Sequence, residues 1–226
     1  MKLRRWGALA TVLLLCAWAT APLTTNELTI AQLQYGGGGD WYANPSGLPN
    51  LLKVIRERTG LQVSDRPGKV KPTDPTLWNY PYIYVTGHGN IKFTDEEVQI
   101  LRRYLQSGGF MHVDDNYGLD KSFRRELTRI FPDKELAELP SDHPIYKSFY
   151  SFPTGLPKVH LHDGKAARGY GVFHQGRLIV YYTYETDLGN GWEDADRYED
   201  PPEAREAAFR MGVNIFVYAL SQAVAQ

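Results

Sequence analysis

The chain has 226 residues, with 25 basic and 26 acidic side chains and a formal net charge of −1. Residues 1–26 hold three basic residues and no acidic one, so the remainder carries 22 basic and 26 acidic residues, a net charge of −4. A mildly acidic chain without a basic block lacks the electrostatic signature of a nucleic-acid-binding protein, and its length is enough to bury a full core.

The first 26 residues have the pattern of a signal peptide or an N-terminal anchor. Lys2, Arg4 and Arg5 precede an apolar run over residues 7–21. This is the order of a basic n-region and an apolar h-region, and Ala19 offers a small residue for cleavage. We therefore predict export to the periplasm or the extracellular space. The alternative is an uncleaved segment that anchors the protein in a membrane.

Strands and helices alternate in the first half of the remaining chain. In chain order the pattern predicts a strand over 28–35, a helix over 49–59, a short strand over 61–64, a loop over 65–79 and a strand over 82–86. Glycines 36–39 follow the first of these strands. The glycine run matches neither a dinucleotide-binding fingerprint nor a P-loop, so we interpret it as a turn or a lid near a site.

The next helix has a clear start and end. Thr94 and Glu97 have the spacing of a capping box, and Gly108 and Gly109 end the helix. A strand over 110–113 follows, and then a helix from Asp120 that Pro132 stops. Alternating strands and helices predict parallel pairing with right-handed crossovers.

After residue 132 the pattern changes. We predict mostly irregular structure over 133–168 with a strand over 159–162, an antiparallel hairpin over 169–174 and 177–184, an acidic loop over 187–200 and a helix from about 203 to 225. The chain has no internal repeat, and no segment has the composition of a linker. We therefore interpret residues 27–226 as a single domain.

Four stretches of the chain carry a family resemblance: TGHGNIKFTDEEVQILRRYLQSGGFMHVDDNYGLDKSFRREL, ELPSDHPIYKSFY, YYTYETDLGNGWED and RMGVNIFVYALSQ. They resemble a bacterial family of unknown function, number 4159 in the domain-of-unknown-function series. That family is placed among class I glutamine amidotransferase-like folds, near trehalose-utilisation-type proteins. The resemblance implies an α/β fold with a largely parallel, flavodoxin-like or amidotransferase-like sheet, helices on both faces and a C-terminal antiparallel hairpin. It carries no established activity.

The resemblance also permits a test for glutaminase chemistry. In true class I amidotransferases the strand after the Gly-Gly helix stop ends in a cysteine whose thiolate attacks glutamine. The corresponding turn here is Asp114–Gly118, and the one cysteine of the chain is Cys16. Because a carboxylate or an amide cannot replace a thiolate in forming a thioester, we exclude a glutaminase.

Polar side chains follow two of the predicted strands, at the sheet edge where α/β folds bind ligands. Asp114, Asp115 and Asn116 follow the strand over 110–113, and His88 lies between two glycines after the strand over 82–86. Carboxylates there act as a general base, ligate a hard cation or bind a sugar hydroxyl, or they cap a helix and a turn. We predict His88, Asp114 and Asp115 as catalytic residues and Asn116 as a ligand-binding residue.

Three further residues are predicted to bind a ligand. Trp41 follows the glycine run and either stacks on a sugar ring or covers the core. Glu185 comes directly after the strand over 177–184, nearest to the strand end. His143 lies in an Asp-His-Pro turn within one of the stretches that carry the family resemblance.

The remaining histidines and acidic residues give weaker indications. We expect His112 to be a hydrogen-bonded core histidine. His160 and His162 either share a metal ion or are two exposed polar residues on an edge strand, and we favour the second interpretation. The acidic stretch over 187–200 is interpreted as a solvated loop, with calcium binding as the alternative. We assign no metal ligand, although a divalent cation remains an alternative cofactor.

Two functions fit these observations. The first is a ligand-binding or interaction module of the cell envelope that takes a small polar ligand, such as a carbohydrate, or a partner protein. The second is a hydrolase acting on a carbohydrate or an amide, with a divalent cation or an Asp–His pair activating water. Both require that His88, Asp114 and Glu185 approach each other across the sheet edge.

Overall fold

A computed structural model describes residues 28–224, with side chains described as far as residue 222. The predicted signal peptide or anchor lies outside these residues. Within them, seven strands form one sheet: β1 (Ile30–Leu33), β2 (Gly68–Val70), β3 (Tyr82–Val85), β4 (Phe110–Asp114), β5 (Ala137–Glu138), β6 (Arg168–His174) and β7 (Arg177–Tyr184).

The strand order in the sheet is β2-β1-β3-β4-β7-β6-β5. The first five of these strands are parallel, whereas β6 and β5 are antiparallel to their neighbours. Counted along the chain, the parallel strands lie in the order 2-1-3-4-5, which is the flavodoxin-like order. The predicted fold class, a mostly parallel α/β sheet with a C-terminal antiparallel hairpin, is confirmed. In such sheets ligands bind beyond the carboxyl ends of the strands where the order reverses, here between β1 and β3.

Helices cover both faces of the sheet. They are α1 (Gly47–Thr59), α2 (Asp95–Gln106), α3 (Asp120–Ile130), α4 (Leu188–Trp192) and α5 (Pro202–Val224). Side chains alternate between the two faces along each strand. Tyr82 and Tyr84 therefore pack in the hydrophobic core that contains α1, α4 and α5, whereas Ile83 and Val85 pack in the core on the other face, which contains α2 and α3. Over residues 28–224, no helix combines the length and the apolar character needed to cross a bilayer.

Helix α2 shows how local sequence and long-range contacts together define an element. The predicted capping box is confirmed: Glu97 N donates to Thr94 Oγ1 at 3.2 Å, and Thr94 N donates to Glu97 Oε2 at 2.7 Å. At the other end, the buried guanidinium of Arg177 donates to the carbonyl oxygens of Leu105 and Gly109. The end of α2 is therefore tied to β7, a contact that no local pattern predicts.

Two predicted strands are wrong. Residues 61–64 contribute one isolated bridge, Val63 to Leu28, and the second strand is Gly68–Val70 instead. Gly68 fits there because a β-carbon would lie 2.6 Å from the ring of Tyr80. Residues 159–162 are irregular: His160 N donates to the carbonyl oxygen of Thr186, and residues 160–162 all line a cleft.

The stretch over 187–200 is not a solvated loop throughout. It begins with α4, and Leu188, Trp192 and Glu193 are buried. A five-residue helix is too short to show helical periodicity in a sequence. Asp187 and Asp114 hold its first turn, because Asn190 N donates to Asp187 Oδ1 and Gly189 N donates to Asp114 Oδ2.

Candidate functional site

The glycine run after β1 packs against the loop after β3. Gly39 N donates to the carbonyl oxygen of Asn90 at 3.1 Å, and Asp40 N donates to that of His88 at 3.4 Å. Gly87 has a φ of 130°, and a β-carbon there would lie 2.4 Å from the Tyr35 hydroxyl oxygen. These glycines therefore allow two loops to approach closely at the switch point of the sheet.

This contact creates an Asp–His pair at the sheet edge. Asp40 accepts a hydrogen bond from the backbone N–H of His88, and its Oδ2 lies 3.0 Å from His88 Nδ1. Burial would raise the pKa of Asp40, but the hydrogen bonds from the backbone and the ring of His88 lower the pKa below its usual value. About half of the His88 side chain is exposed, and its Nε2 hydrogen-bonds to none of the described residues. The sequence indicated His88 but gave no signal that Asp40 is its partner.

Asp114 is fully buried and acts as a long-range helix cap. Its Oδ1 accepts hydrogen bonds from Thr183 Oγ1 at 2.5 Å and Leu188 N at 3.2 Å. Its Oδ2 accepts from Tyr84 OH at 3.2 Å and Gly189 N at 2.7 Å. Each oxygen thus receives one hydroxyl and one peptide N–H, and the carboxylate joins β4, β3 and β7 to the start of α4.

Burial also controls the charges around this cap. Desolvation raises the pKa of Asp114 to about 7, and the nearby carboxylate of Asp187 adds to the rise. His112 hydrogen-bonds to the hydroxyls of Tyr82 (2.9 Å) and Thr183 (3.0 Å). Its pKa is lowered to about 3 by burial, so the ring is neutral. His112 is the hydrogen-bonded core histidine that the sequence predicted.

Asp115 holds the turn that leads into α3. Its Oδ1 accepts hydrogen bonds from Tyr117 N (3.2 Å) and Leu119 N (3.0 Å), and its Oδ2 accepts one from Tyr182 OH at 3.3 Å. Burial raises the pKa of this carboxyl group. Asp115 therefore holds this turn through two backbone N–H groups and ties it to β7 through Tyr182.

Glu185 is also buried, and its charge is paired. Its Oε2 lies 3.2 Å from Lys158 Nζ and its Oε1 lies 3.9 Å from Lys165 Nζ. His88, Asp114 and Glu185 do not line one open cleft: His88 lines the two clefts described below, whereas Asp114 and Glu185 are buried and line neither.

A cleft of about 350 Å³ opens between the loops after β3, β4 and β7, and we call it the histidine cleft. It is lined by His88, Asn116, Tyr117, His160, Leu161, His162, Asp187, Asn190 and Tyr198. Asn116 Oδ1 accepts a hydrogen bond from Thr86 Oγ1 at 2.7 Å. Its Nδ2 is buried and has no hydrogen-bond partner among residues 28–222.

His162 forms a second unsatisfied group in the same wall. Its side chain is 3% exposed and its Nε2 lies 3.4 Å from Asp187 Oδ2, but neither Nδ1 nor Nε2 makes a hydrogen bond with good geometry to a described residue. Burial lowers the pKa of His162, but the contact with Asp187 and the charges of Asp115 and Glu185 outweigh burial and raise it. The net effect is a pKa above the ordinary value, which favours the protonated ring, and in that form both ring nitrogens are donors.

The favoured interpretation of His160 and His162 as exposed edge residues is wrong for His162. The two rings lie 5.7 Å apart, and His160 Nδ1 is 3.3 Å from Asp200 Oδ1. Each ring thus faces its own carboxylate. Within residues 28–224, no group of three or more His, Cys, Asp or Glu side chains has the geometry of a metal site.

A second cleft, of about 450 Å³, lies beyond β1 and β2, and we call it the proline cleft. It is lined by Gln32, Asp40, Tyr42, Ala43, Asn44, Pro45, Leu48, Pro49, Pro67, Lys69, His88, Arg197 and Tyr198. Asn44 Oδ1 accepts a hydrogen bond from Tyr198 OH at 3.1 Å. The Nδ2 of Asn44 is buried, and no described residue accepts a hydrogen bond from it.

Glu193 supports the wall of the proline cleft. Its Oε1 accepts hydrogen bonds from the backbone N–H groups of Ser46 and Gly47, both at 2.8 Å, at the start of α1. Its Oε2 lies 3.3 Å from Arg197 Nε. A residue 146 positions further along the chain therefore caps α1, which the sequence gave no means of predicting.

The remaining predicted residues lie apart from these clefts. The Trp41 ring is half-buried and packs against the core with α2 and α3, whereas its neighbour Tyr42 is exposed in the proline cleft. His143 caps a 3₁₀ turn, and its ring contacts those of Phe173 and Tyr218 at centroid distances of 6.0 and 5.5 Å. Phe173 lies towards the far end of β6, so His143 belongs to the opposite edge of the sheet.

Comparison with curated proteins gives no match. The model of one protein family, described as "Domain of unknown function (DUF4159)", matches residues 29–220. The match spans all seven strands of the sheet and both clefts. The chain therefore belongs to the DUF4159 family.

Proposed function

We propose that the protein is a ligand-binding module of the cell envelope that takes a small polar ligand in the histidine cleft. One observation carries this proposal: Asn116 Nδ2 and His162 Nδ1 are buried in the wall of one cleft, and neither has a partner among the described residues. A buried donor without an acceptor costs about 1–3 kcal/mol. A ligand that accepts from both nitrogens would remove this cost.

The surroundings of these two nitrogens support binding. Ligand sites are usually clefts of about 300–1,000 Å³ with apolar walls and a few convergent polar groups. The histidine cleft falls in that range, and the rings of Tyr117 and Tyr198 form part of its walls. The carboxylates of Asp114 and Glu185 are occupied by contacts within the protein, so recognition of a ligand in this cleft is assigned to the residues that line it.

The proposed module has an amidotransferase-like fold that lacks the nucleophilic cysteine of true amidotransferases. The flavodoxin-like order of the parallel strands supports this kinship, and Cys16 precedes the described residues. The basic and apolar pattern of residues 1–26 supports export. Mass spectrometry of the protein from fractionated cells tests the location. A mature chain that begins at about Thr20 in the envelope fraction supports export with cleavage after Ala19. An intact chain in the membrane fraction supports the anchor, and a cytoplasmic chain contradicts both.

The binding proposal is tested on the side chains that carry it. Proton–nitrogen NMR spectra report the Asn116 amide and the His162 ring during a screen of monosaccharides, polyols and amino acids. We expect one class to shift both signals and to raise the melting temperature. Asn116→Asp keeps an acceptor for Thr86 but removes the amide donor, so affinity should fall at least tenfold.

Asn79→Asp is the matched control, because Asn79 is exposed on a 3₁₀ turn outside both clefts. It should bind as the unmodified protein does. A high-resolution structure in which ordered waters satisfy both nitrogens, together with no compound that shifts either signal, would contradict the proposal.

The Asp40–His88 pair favours a second candidate, a hydrolase. His88 Nε2 is placed to take a proton from a water molecule, whose oxygen then attacks an anomeric or amide carbon, while Asp40 orients the ring through Nδ1. The C–O or C–N bond to the leaving group then breaks, and the leaving alcohol or amine takes up a proton from the ring or from solvent, which returns His88 to its starting form. The sequence predicted Asp114 and Asp115 for the acidic role. The geometry supports Asp40 instead, because it contacts the ring and both predicted carboxylates are occupied elsewhere.

Turnover of nitrophenyl glycosides and nitroanilide amides tests this candidate. His88→Gln should lower the rate at least a hundredfold, and Asp40→Asn should lower it less and shift its pH profile. His174→Gln, at the opposite end of β6, is the matched control and should leave the rate unchanged. Equal rates in His88→Gln and the unmodified protein, or no turnover of any compound, would reject the hydrolase.

A further inference from the structure

We infer that the histidine cleft and the proline cleft form one groove that binds a linear carbohydrate chain of at least two rings. The inference rests on the proposed function and deepens it by naming the ligand class and the second half of the site. Each cleft, of about 350 and 450 Å³, is large enough for a small ligand by itself. Both are lined by His88 and Tyr198, so a ligand in one cleft meets the other across these two side chains.

The two halves of the groove differ in their buried donors. In the histidine cleft, Asn116 Nδ2 and His162 Nδ1 are buried in the wall without a hydrogen-bond partner among the described residues. Asn44 Nδ2 in the proline cleft also lacks a partner, but it lies against Gly189 of α4 and therefore faces the protein. Unsatisfied polar groups are thus concentrated in the histidine cleft, and the proline cleft offers mainly contact with exposed side chains.

Large apolar side chains that are exposed to solvent are concentrated along the groove. Of seven large apolar side chains that are exposed in the described part of the chain, four line it: Tyr42 (63% exposed), Tyr117 (54%), Leu161 (77%) and Tyr198 (37%). Clustered apolar exposure marks binding surfaces. Tyrosine offers a flat apolar face with a hydroxyl at its tip, which matches sugar rings that have apolar faces and hydroxyl edges.

The three tyrosines are distributed along the groove. Tyr42 lies in the proline cleft, Tyr117 in the histidine cleft and Tyr198 where the two clefts meet. A single sugar ring could contact the tyrosines of one half only. The distribution therefore fits a chain of rings and not one ring.

The charges along the groove favour an uncharged ligand. Lys69 and Arg197 line the proline cleft together with Asp40, and Glu193 pairs with Arg197 from behind the wall. In the histidine cleft, His162 faces Asp187. Because positive and negative side chains are balanced in both halves, the groove has no patch of net positive charge that would attract a phosphate or a polyanion. Amide groups such as that of Gln32 supply donors and acceptors together, as hydroxyl groups require.

Calorimetry with defined sugars tests this inference. The probes are glucose and N-acetylglucosamine with their linear trimers maltotriose, cellotriose and chitotriose. At least one trimer should bind more than tenfold tighter than its own monomer. Tyr42→Ala should weaken that trimer at least fivefold and leave the monomer within twofold, whereas Asn116→Asp should weaken both.

Trp78→Ala is the matched control, because Trp78 is 51% exposed and lies outside the groove. It should change neither affinity. Equal affinities for monomer and trimer would overturn the extended groove but leave the proposed module intact. Binding of a different polar compound at Asn116, with none of the sugars bound, would overturn the carbohydrate class alone. If no compound reaches Asn116 or His162, both the inference and the proposed function fail.

Discussion

Removal of the Glu193 carboxylate should destabilise the fold, although the sequence places this residue in an acidic stretch that would be expected to face solvent. Its Oε1 accepts hydrogen bonds from Ser46 N and Gly47 N at 2.8 Å each. The first N–H groups of a helix have no partner within the helix. In Glu193→Ala these two groups of α1 lose their acceptor in a largely buried position.

The magnitude follows from the two contacts. A hydrogen bond to a charged group contributes about 1.5–3 kcal/mol, and part of this loss is offset by water because Ser46 is only half-buried. We therefore expect Glu193→Ala to lower the free energy of unfolding by about 2–4 kcal/mol. Glu193→Gln retains one oxygen for both N–H groups and loses the pairing with half-exposed Arg197, so about 1 kcal/mol should be lost.

Urea unfolding followed by tryptophan fluorescence measures these changes, since Trp192 is fully buried beside Glu193. With a slope of about 2–3 kcal/mol per molar, the midpoint of Glu193→Ala should fall by about 1 M. Glu135→Ala is the matched control, because Glu135 is exposed and pairs with none of the described residues; its midpoint should barely move. If Glu193→Ala behaves like this control, or if Glu193→Gln is as damaging as Glu193→Ala, the capping argument is wrong.

Three further predictions concern the same sheet edge and the core behind it. Gly189→Ala should lower the free energy of unfolding by about 1–3 kcal/mol, because the new β-carbon would lie 2.8 Å from the Tyr84 hydroxyl oxygen. An unchanged urea midpoint would show that Gly189 is not closely packed against Tyr84. Burial and the charge of Asp187 raise the pKa of Asp114 from 3.8 to about 7, so its protonation stabilises the fold at low pH and the effect is lost as the pH rises through 7. The stability of the unmodified protein relative to Asp114→Asn should therefore decrease as the pH rises from about 4 to about 7 and then level off, by at most about 1.4 kcal/mol per pH unit; a flat or rising difference over this range would exclude the raised pKa. Arg177→Met should lower the free energy of unfolding by about 2–3 kcal/mol, because two carbonyl oxygens at the end of α2 lose their donor. Thermal unfolding measures this change, and a stability equal to that of the unmodified protein would show that these hydrogen bonds do not stabilise the end of α2.

The elements that could be predicted from the sequence are those with a local physical signature. The capping box at Thr94, the hairpin turn at Gln175–Gly176 and the apolar stripe of α3 are each formed by residues that lie close together along the chain. Hydrogen-bond satisfaction and side-chain periodicity act over this range. The strand at 68–70 and the helix α4 were missed because their stability comes from partners far away in the sequence.

The candidate site shows the same division. The sequence correctly indicated that polar residues collect after β3 and β4, because parallel strands end at a common edge. It could not distinguish a carboxylate that faces a ligand from one that caps a helix, since Asp and Asn favour both positions. Asp114 and Asp115 are capping groups, whereas Asn116, the next residue, turns its amide into the wall of a cleft.

The amino-acid sequence by itself determined the α/β class, the mostly parallel sheet, the antiparallel hairpin and the edge at which polar groups gather. These properties follow from hydrophobic periodicity and from the capping and turn residues of each segment. Only the tertiary structure decided which polar groups are satisfied within the protein and which remain without a partner in the clefts. Satisfaction depends on distances between segments such as Asp40 and His88, or Glu193 and the start of α1, which chain folding brings together and which leave no trace in local spacing.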